Sequence, residues 1–432
     1  MTDAPAELGP LLSDLKRREL LHQCTHTAEL VEHLQESRAV YAGFDPTRDS
    51  LTIGNLVSIL LLRRFQLAGH RPVVVMGGGT GLIGDPSGKD AERQLMTTEI
   101  IAANVAGQKK IFEQLLDFEG PAAAIVVNNA DWIEKLSFVE VLREIGKHFS
   151  VNMMIQKDSV KARLEGREQG ISYTEFSYMI MQAHDFSVLN QEQGVTLQVG
   201  GSDQWGNIVA GVDLTRKRYQ STVYGLTSPL ITKSDGTKFG KTESGAIWLT
   251  NDRTSAYAFY QFWINATDKD LTAYLRVFSL RPMDEIEALL QRHQENPGAR
   301  EGQKTLAAEL TELLHGPEGL KDALLASNAL FSGKVKELSA QLLNEAFAHV
   351  PSTEIEPSRL QEAGIAIVDL MVETKVAKSK REARQFIQSG AVSINGDKVG
   401  DDFSLTSEAL LHKSVALLRR GKKTWHICRV LG

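Results

Sequence analysis

The chain has 432 residues, 42% of them hydrophobic, 24% charged and 7% aromatic, with a net charge of −6. This is the composition of an ordinary globular protein of two or three domains, and it excludes disordered, collagen-like and minimal-module classes. Two cysteines, Cys24 and Cys428, exclude a disulfide framework and a thiolate zinc site and make a reducing compartment the default. No stretch reaches the ~18 apolar residues of a membrane span, and the first thirty residues lack the apolar region of a signal peptide. The expected location is therefore cytoplasmic, with no membrane partner.

The charge is unevenly spread. Residues 373–432 carry 12 Lys or Arg against 6 Asp or Glu, a surplus of six, so residues 1–372 carry −12. A basic module on an acidic body places polyanion binding in one part of a chain; a solvated charged surface is the plain alternative.

In chain order, AVYAGF at 39–44 reads as a strand, Asp45-Pro46 as a turn, and IGNLVSILLLRRFQLAG as a helix ending at Gly69. RPVVVMGG at 71–78 is a Val-rich strand of the kind buried on both faces of a parallel sheet. A glycine loop follows through Lys89, then a helix over about 97–117, then a second buried strand at 122–129. Strand, helix, strand, helix, strand predicts a doubly wound α/β domain. Its ligand crevice lies at the carboxyl ends of the strands, in the loops after Phe44, Met76 and Val127. Beyond residue 245 successive helices are expected to about 328, then a polar, acidic, Pro-containing linker. The tail alternates again, with a helix near 366–373, a basic helix at 378–390, and AVSINGDKV as strand, Asn-Gly turn, strand.

Two glycine loops mimic nucleotide motifs. Gly79–Gly84 fits G-x-G-x-x-G, but the next residues, Asp85-Pro86-Ser87-Gly88, form a turn instead of a helix, and no acid follows at the distance that ribose binding requires. Gly236–Thr242 resembles a P-loop with one residue too few. Both still suit anions, through glycine backbone and lysine. In FSYMIMQAHDF at 176–186, Tyr178, Gln182 and Asp185 fall at i, i+4 and i+7 of one helix face, while Phe176, Ile180 and Ala183 take another. The polar face is either a solvent-facing stripe or a set of donors and acceptors for a small zwitterion with a polar tip.

The motifs YAGFDPT at 41–47, GLIGDPSGK at 81–89, TEFSYMIMQAHDF at 174–186, GGSDQWGN at 200–207 and KFGKT at 238–242 stand in order and correctly spaced over nearly the whole chain. Together they resemble the bacterial tyrosyl-tRNA synthetases, class I enzymes that make tyrosyl-adenylate from tyrosine and ATP and then load tRNA(Tyr). The tail resembles the S4-type RNA-binding domain of that family, in keeping with its charge. The resemblance implies that Tyr41 and Asp185 bind the phenol, that Tyr178, Gln182 and Asp85 hold the α-amino group, and that Gln204 lies near the carboxylate. It places ATP against Gly43, Asp45, Thr47, Gly54, Asp203 and Lys241, with Lys238, Lys241 and Thr242 in a mobile loop that follows the phosphates. The family's HIGH motif is replaced by Thr52-Ile53-Gly54-Asn55. Thr52 and Asn55 can donate hydrogen bonds but carry no charge, which shifts weight toward Lys89, Arg93 and the 238–242 loop. Lys378, Lys380, Arg381 and Arg384 are expected to meet RNA backbone. DNA is not an expected partner.

The expected architecture is a Rossmann-like catalytic domain at 1–245, an α-helical domain at 246–330, a linker at 331–360 and an α+β S4-like domain at 361–432. The expected cofactors are ATP, as substrate, and Mg²⁺ shared with its triphosphate, without a protein metal site. A homodimer is implied by the resemblance alone. A tryptophanyl-tRNA synthetase and a synthetase-derived RNA-binding scaffold with weakened catalysis are the alternatives.

Overall fold

The computed structural model describes residues 8–431 except 88–94, 158–159, 162–163, 165–169, 238, 243–244, 362 and 422–423. The chain divides into two compact units, residues 1–254 with 266–306, and residues 255–265 with 307–432.

The first unit is built on β1 (Gln23–Cys24), β2 (Ala39–Phe44), β3 (Arg71–Met76), β4 (Ile125–Asn128), β5 (Val195–Gly201) and β6 (Tyr224–Ser228), in the order β1-β6-β5-β2-β3-β4. Strands β2 to β6 are mutually parallel and β1 is antiparallel to β6. The connecting helices include α1 (Ile53–Leu67), α2 (Thr98–Leu115), α3 (Tyr173–Gln193) and α4 (Trp205–Tyr219). Both faces of β3 are covered, and Val73, Val74 and Val75 are buried, which is why its sequence is continuously apolar. From β2 the chain winds outward to β3 and β4, then returns to β5 on the other side of β2. The β2/β5 boundary is thus the switch point where such sheets bind ligands. A short hairpin, β7 (Lys241–Thr242) and β8 (Gly245–Ala246), follows.

Helices α5 (Asp268–Phe278) and α6 (Met283–Glu295) belong to this first unit, so the expected separate helical domain at 246–330 is divided between the two units. The reason is a pair of buried guanidinium groups. Arg64 of α1 donates to Val277 O and Ser279 O, both at 2.8 Å, and Arg18 donates to Ser279 O at 2.9 Å and Arg281 O at 2.6 Å. These carbonyls at the end of α5 lack intrahelical partners, and buried cations satisfy them.

The second unit contains the helix Ala256–Ile264, helical residues 307–332 interrupted at Gly316 ahead of Pro317, and a five-stranded sheet. Its further elements are α7 (Ala340–Ala346), β9 (Ser352–Ile355), β10 (Ile365–Ala366), α8 (Ile367–Glu373), α9 (Lys380–Gln388), β11 (Val392–Ile394), β12 (Asp397–Lys398), β13 (Ser404–Leu405), β14 (Val415–Arg420) and β15 (Thr424–Val430). The sheet order is β12-β11-β14-β15-β9. Asn395 and Gly396, both at positive φ, turn the chain between β11 and β12 as the Asn-Gly pair predicts.

The expected linker at 331–360 is instead folded. It contributes α7, and β9 pairs in parallel with β15, Thr353 opposite Cys428. Its composition is polar overall, but Val335, Leu338, Leu343 and Phe347 are all buried, in one core with Tyr257, Val415, Leu417, Trp425 and Ile427. Phe347 meets Trp425 edge-on at 5.1 Å between ring centroids. Phe347→Ala should therefore cost about 3–5 kcal/mol in urea unfolding of this unit; a cost near zero would restore the linker reading.

Candidate active site

The loops at the carboxyl ends of β2, β3, β4 and β5 converge with one face of α3. Tyr41, on β2, is buried and packs edge-on against Phe186 at 5.1 Å. Its hydroxyl has no hydrogen-bond partner among the described residues. Burial first, and the charge of Asp185 second, push the Tyr41 phenol well above its ordinary pKa. A buried hydroxyl left unpaired is costly and rare, so here it marks a place built for a polar group of a ligand.

Asp185 is buried as well. It accepts from Trp132 Nε1 at 2.8 Å and from Asn129 Nδ2 at 2.9 Å. Burial raises its carboxyl to about 7, against the lowering effect of these two donors, and the neighbouring Asp45 adds to the rise. Asn129 Nδ2 also donates to Thr80 Oγ1 at 2.9 Å, Thr80 Oγ1 donates to Asp45 Oδ1 at 2.9 Å, and Tyr178 OH donates to Asp45 Oδ2 at 3.1 Å. A single network thus links the ends of three strands to α3.

A second network lies beside it. Gln204 Nε2 donates to Asp85 Oδ2 at 2.7 Å, Gln182 Nε2 to Gln204 Oε1 at 3.3 Å, and Asn207 Nδ2 to Gln182 Oε1 at 3.0 Å. Ser87 N closes the Asp85 turn on Oδ1 at 2.9 Å. Tyr178, Gln182 and Asp185 share one face of α3 as their spacing predicts. That face points inward instead of to solvent, with Tyr178 and Asp185 buried. Burial, followed by the charges of Asp45 and Asp85, raises the Tyr178 phenol. Asp85, held beside Gln182, Gln204 and Tyr178, offers a carboxylate suited to an ammonium group.

Gly43 is exposed within β2, with nothing within 4 Å of where a Cβ would stand, so a ligand can approach the backbone there. Thr52 caps α1. Thr52 N and Oγ1 each donate to Asn55 Oδ1 at 3.0 Å. This commits the Thr52 hydroxyl proton within the pair and leaves Asn55 Nδ2 as the side-chain donor. The hairpin loop returns to this helix start: a Cβ on Gly240 (φ 79°) would lie 2.9 Å from Ile53 Cγ1. Phe239 is seated between Tyr274 and Phe278 of α5, each at 5.2 Å. Lys241 and Thr242 form β7 beside it. Lys89, Arg93 and Lys238 lie outside the described residues. Asp203 and Thr47 sit at the ends of β5 and β2, both partly exposed.

The sequence reading missed Thr80, Asn129, Trp132 and Asn207. Asn129 and Trp132 follow β4 in the run NNADW, on a loop already assigned to the crevice, and an amide there was the available signal. In the second unit, Lys378, Lys380, Arg381 and Arg384 are exposed at the start and outer face of α9. Lys380 pairs with Asp369 at 2.6 Å and Arg384 lies 3.7 Å from Asp401, so part of their charge is already neutralised.

Comparisons with known proteins fix the family. Residues 33–332 match the class I tRNA synthetases for tryptophan and tyrosine, and residues 343–428 match the C-terminal domain of SYY-like tyrosine–tRNA ligases. The tyrosine–tRNA ligase of Aliivibrio fischeri is 50% identical over 421 residues, 96% of this chain and 98% of that protein. That of Bacillus velezensis is 51% identical over 422 residues, 96% and 99% of the respective chains. The chain belongs to the tyrosyl-tRNA synthetases. Its activity is that of a tyrosine–tRNA ligase, with tyrosine, ATP and tRNA as substrates, and the tryptophan and scaffold alternatives fall away. A truncated mitochondrial tyrosyl-tRNA synthetase of Aspergillus nidulans superposes with a TM-score of 0.67 at 30% identity, covering 74% of this chain and 94% of that one.

In this synthetase the raised Asp185 carboxyl carries a pH consequence. Its folded pKa lies above the unfolded value, so the folded state binds more protons between about pH 4 and about 7. This group's contribution to stability therefore falls as pH rises through that window and is flat above it. Asp185→Asn should remove that slope from the pH profile of urea unfolding. An unchanged slope would mean that another group causes it.

Proposed function

We propose that the two networks divide tyrosine between them. The phenol hydroxyl lies between Tyr41 and Asp185, the α-ammonium is held by Asp85, Tyr178 and Gln182, and the carboxylate lies near Gln204. The unpaired Tyr41 hydroxyl beside a buried carboxyl carries this reading. Phenylalanine would leave the Tyr41 hydroxyl buried and unsatisfied, at about 1–3 kcal/mol, and would offer Asp185 no further donor. A protein that binds tyrosine by these contacts loses affinity as pH falls below about 7, where Asp185 takes up a proton, and its affinity for phenylalanine does not follow.

ATP lies along Gly43, Asp45, Thr47 and Gly54, with Asp203 toward the ribose and the triphosphate facing Asn55, Thr52, Lys89, Arg93, Lys238, Lys241 and Thr242. A tyrosine carboxylate oxygen attacks the α-phosphorus, the bond to pyrophosphate breaks, and the tyrosyl group then passes to the terminal ribose of the tRNA. No enzyme nucleophile takes part. The chain's work is alignment of the two reactants and stabilisation of charge on the phosphoryl oxygens. Among the described residues no cluster of three or more metal-ligating side chains occurs. Mg²⁺ shared with the triphosphate would neutralise part of its charge.

The basic face of α9 meets tRNA backbone. Exposed Phe138, Val139, Val151 and Met153 supply apolar surface of the kind that a second copy covers in a homodimer. No helix among the described residues is long and apolar enough to cross a membrane.

The decisive measurement of this site reading is single-turnover adenylate formation with tyrosine binding measured separately. Lys241→Ala should slow the step about 10²- to 10³-fold while tyrosine affinity is retained; an unchanged rate would remove Lys241 from the machinery. Replacing Lys378, Lys380, Arg381 and Arg384 together by Ala should weaken tRNA charging, flatten its salt dependence and leave adenylate formation intact. Equal loss of both activities would count against RNA contact there.

A further inference from the structure

The segment from Asp45 to Asn55 carries the side chains assigned to ATP, and it is gripped from two sides. On one side stands α2. Asn104 Nδ2 donates to Pro46 O and Gln108 Nε2 to Arg48 O, both at 2.8 Å. Gly107 approaches so closely that a Cβ would lie 2.3 Å from Asp49 O.

On the other side runs the stretch 247–253, the direct continuation of β7 and β8. Ile53 N donates to Ile247 O at 3.1 Å, Leu249 N to Leu51 O at 2.8 Å, and Thr250 Oγ1 to Ser50 Oγ at 2.9 Å. Thr52 itself is bridge-paired with Trp248. The same stretch holds the loop, because Ile247 N donates to Gly240 O at 3.0 Å. Residues 247–250 are therefore a shared spine with the nucleotide motif on one side and the lysine loop on the other.

Arg253 fastens this spine. Its Nη2 lies 2.5 Å from Asp49 Oδ1, and its guanidinium stands 5.0 Å above the ring of Trp248. It thus ties the residue three before Thr52 to the residue paired with Thr52. Trp248 is fixed in turn, its backbone N donating to Thr254 Oγ1 at 2.9 Å. Arg253 and Asp49 remain 35% and 45% exposed. An ion pair this wet adds little to folding stability, but a planar guanidinium that pairs and stacks at once sets a geometry.

We propose that Arg253 is a positioning residue for adenylate formation. Through Asp49 and Trp248 it sets the Thr52–Asn55 motif in register with the 238–242 loop, so that groups on separate elements meet one triphosphate. The need is acute in a chain whose motif has no histidine cation, because loop charge and motif donors must then act together. This inference rests on the assignment of both elements to ATP, and its tests separate the two.

Arg253→Ala should slow single-turnover adenylate formation roughly tenfold or more, since small misplacements of reacting groups are costly. Tyrosine affinity and the melting temperature should stay unchanged. Arg253→Lys, which keeps the pair with Asp49, should recover part of the rate. Asp49→Ala should reproduce the loss, and the Arg253→Ala/Asp49→Ala double variant should be no slower than either single one. An unaltered rate in Arg253→Ala, additive losses in the double variant, or a rate loss matched by lower tyrosine affinity or melting temperature would each overturn the proposal. Lys241→Ala run alongside reads the loop assignment by itself: a normal rate there defeats that assignment, while a slow Lys241→Ala beside a normal Arg253→Ala defeats only the positioning role.

Discussion

Removing two polar groups from water, the Tyr41 hydroxyl and the Asp185 carboxyl, is the constraint around which the first unit is arranged. Burying either without a partner is costly, and the surrounding loops are committed to supplying partners for Asp185. Asp185 receives Asn129 and Trp132 from beyond β4. Asn129 in turn receives the backbone N–H of Gly79 at 2.8 Å from beyond β3. Of the two, the Tyr41 oxygen is left without a donor or acceptor among the described residues. The turns that follow three parallel strands are thereby locked to one another, and the specificity pocket and the rigidity of the sheet's upper edge are one structure.

The side proposed for the nucleotide is built differently, from groups held on separate elements. Thr52 and Asn55 bond each other at the start of α1, Gly240 touches the same helix turn, and Phe239 is docked on α5. Selectivity for an amino acid gains from rigidity and desolvation, whereas a leaving pyrophosphate needs groups that can follow it.

Much of this was readable in the residues. Strands β2, β3 and β4 announce themselves by apolar continuity, and the i, i+4, i+7 spacing of Tyr178, Gln182 and Asp185 sets their common face. Which way that face points depends on packing, not period, and only the fold answers it. Strands β5 and β6 escape a reading of pattern because glycines close one and interrupt the other: VTLQVGG and YGLTS have too few apolar residues to stand out. The stretch 331–360 misleads for the opposite reason. Its acids and prolines dominate the composition, while Val335, Leu338, Leu343 and Phe347 share a core with strand residues some 70 to 90 positions later. Long-range pairing of this kind leaves no local mark.

The parallel pairing of β9 with β15 has a bearing on how the chain matures. Strand β15 is made well after the segment it covers, and it sits between β14 and β9 with Trp425 against Phe347. Until it arrives, Phe347 and its apolar neighbours lack the Trp425 and Ile427 side of their core. A nascent or prematurely ended polypeptide would therefore present sticky surface to chaperones and proteases. Closure of the second unit's core thus waits on a strand far along the chain from the segment it covers.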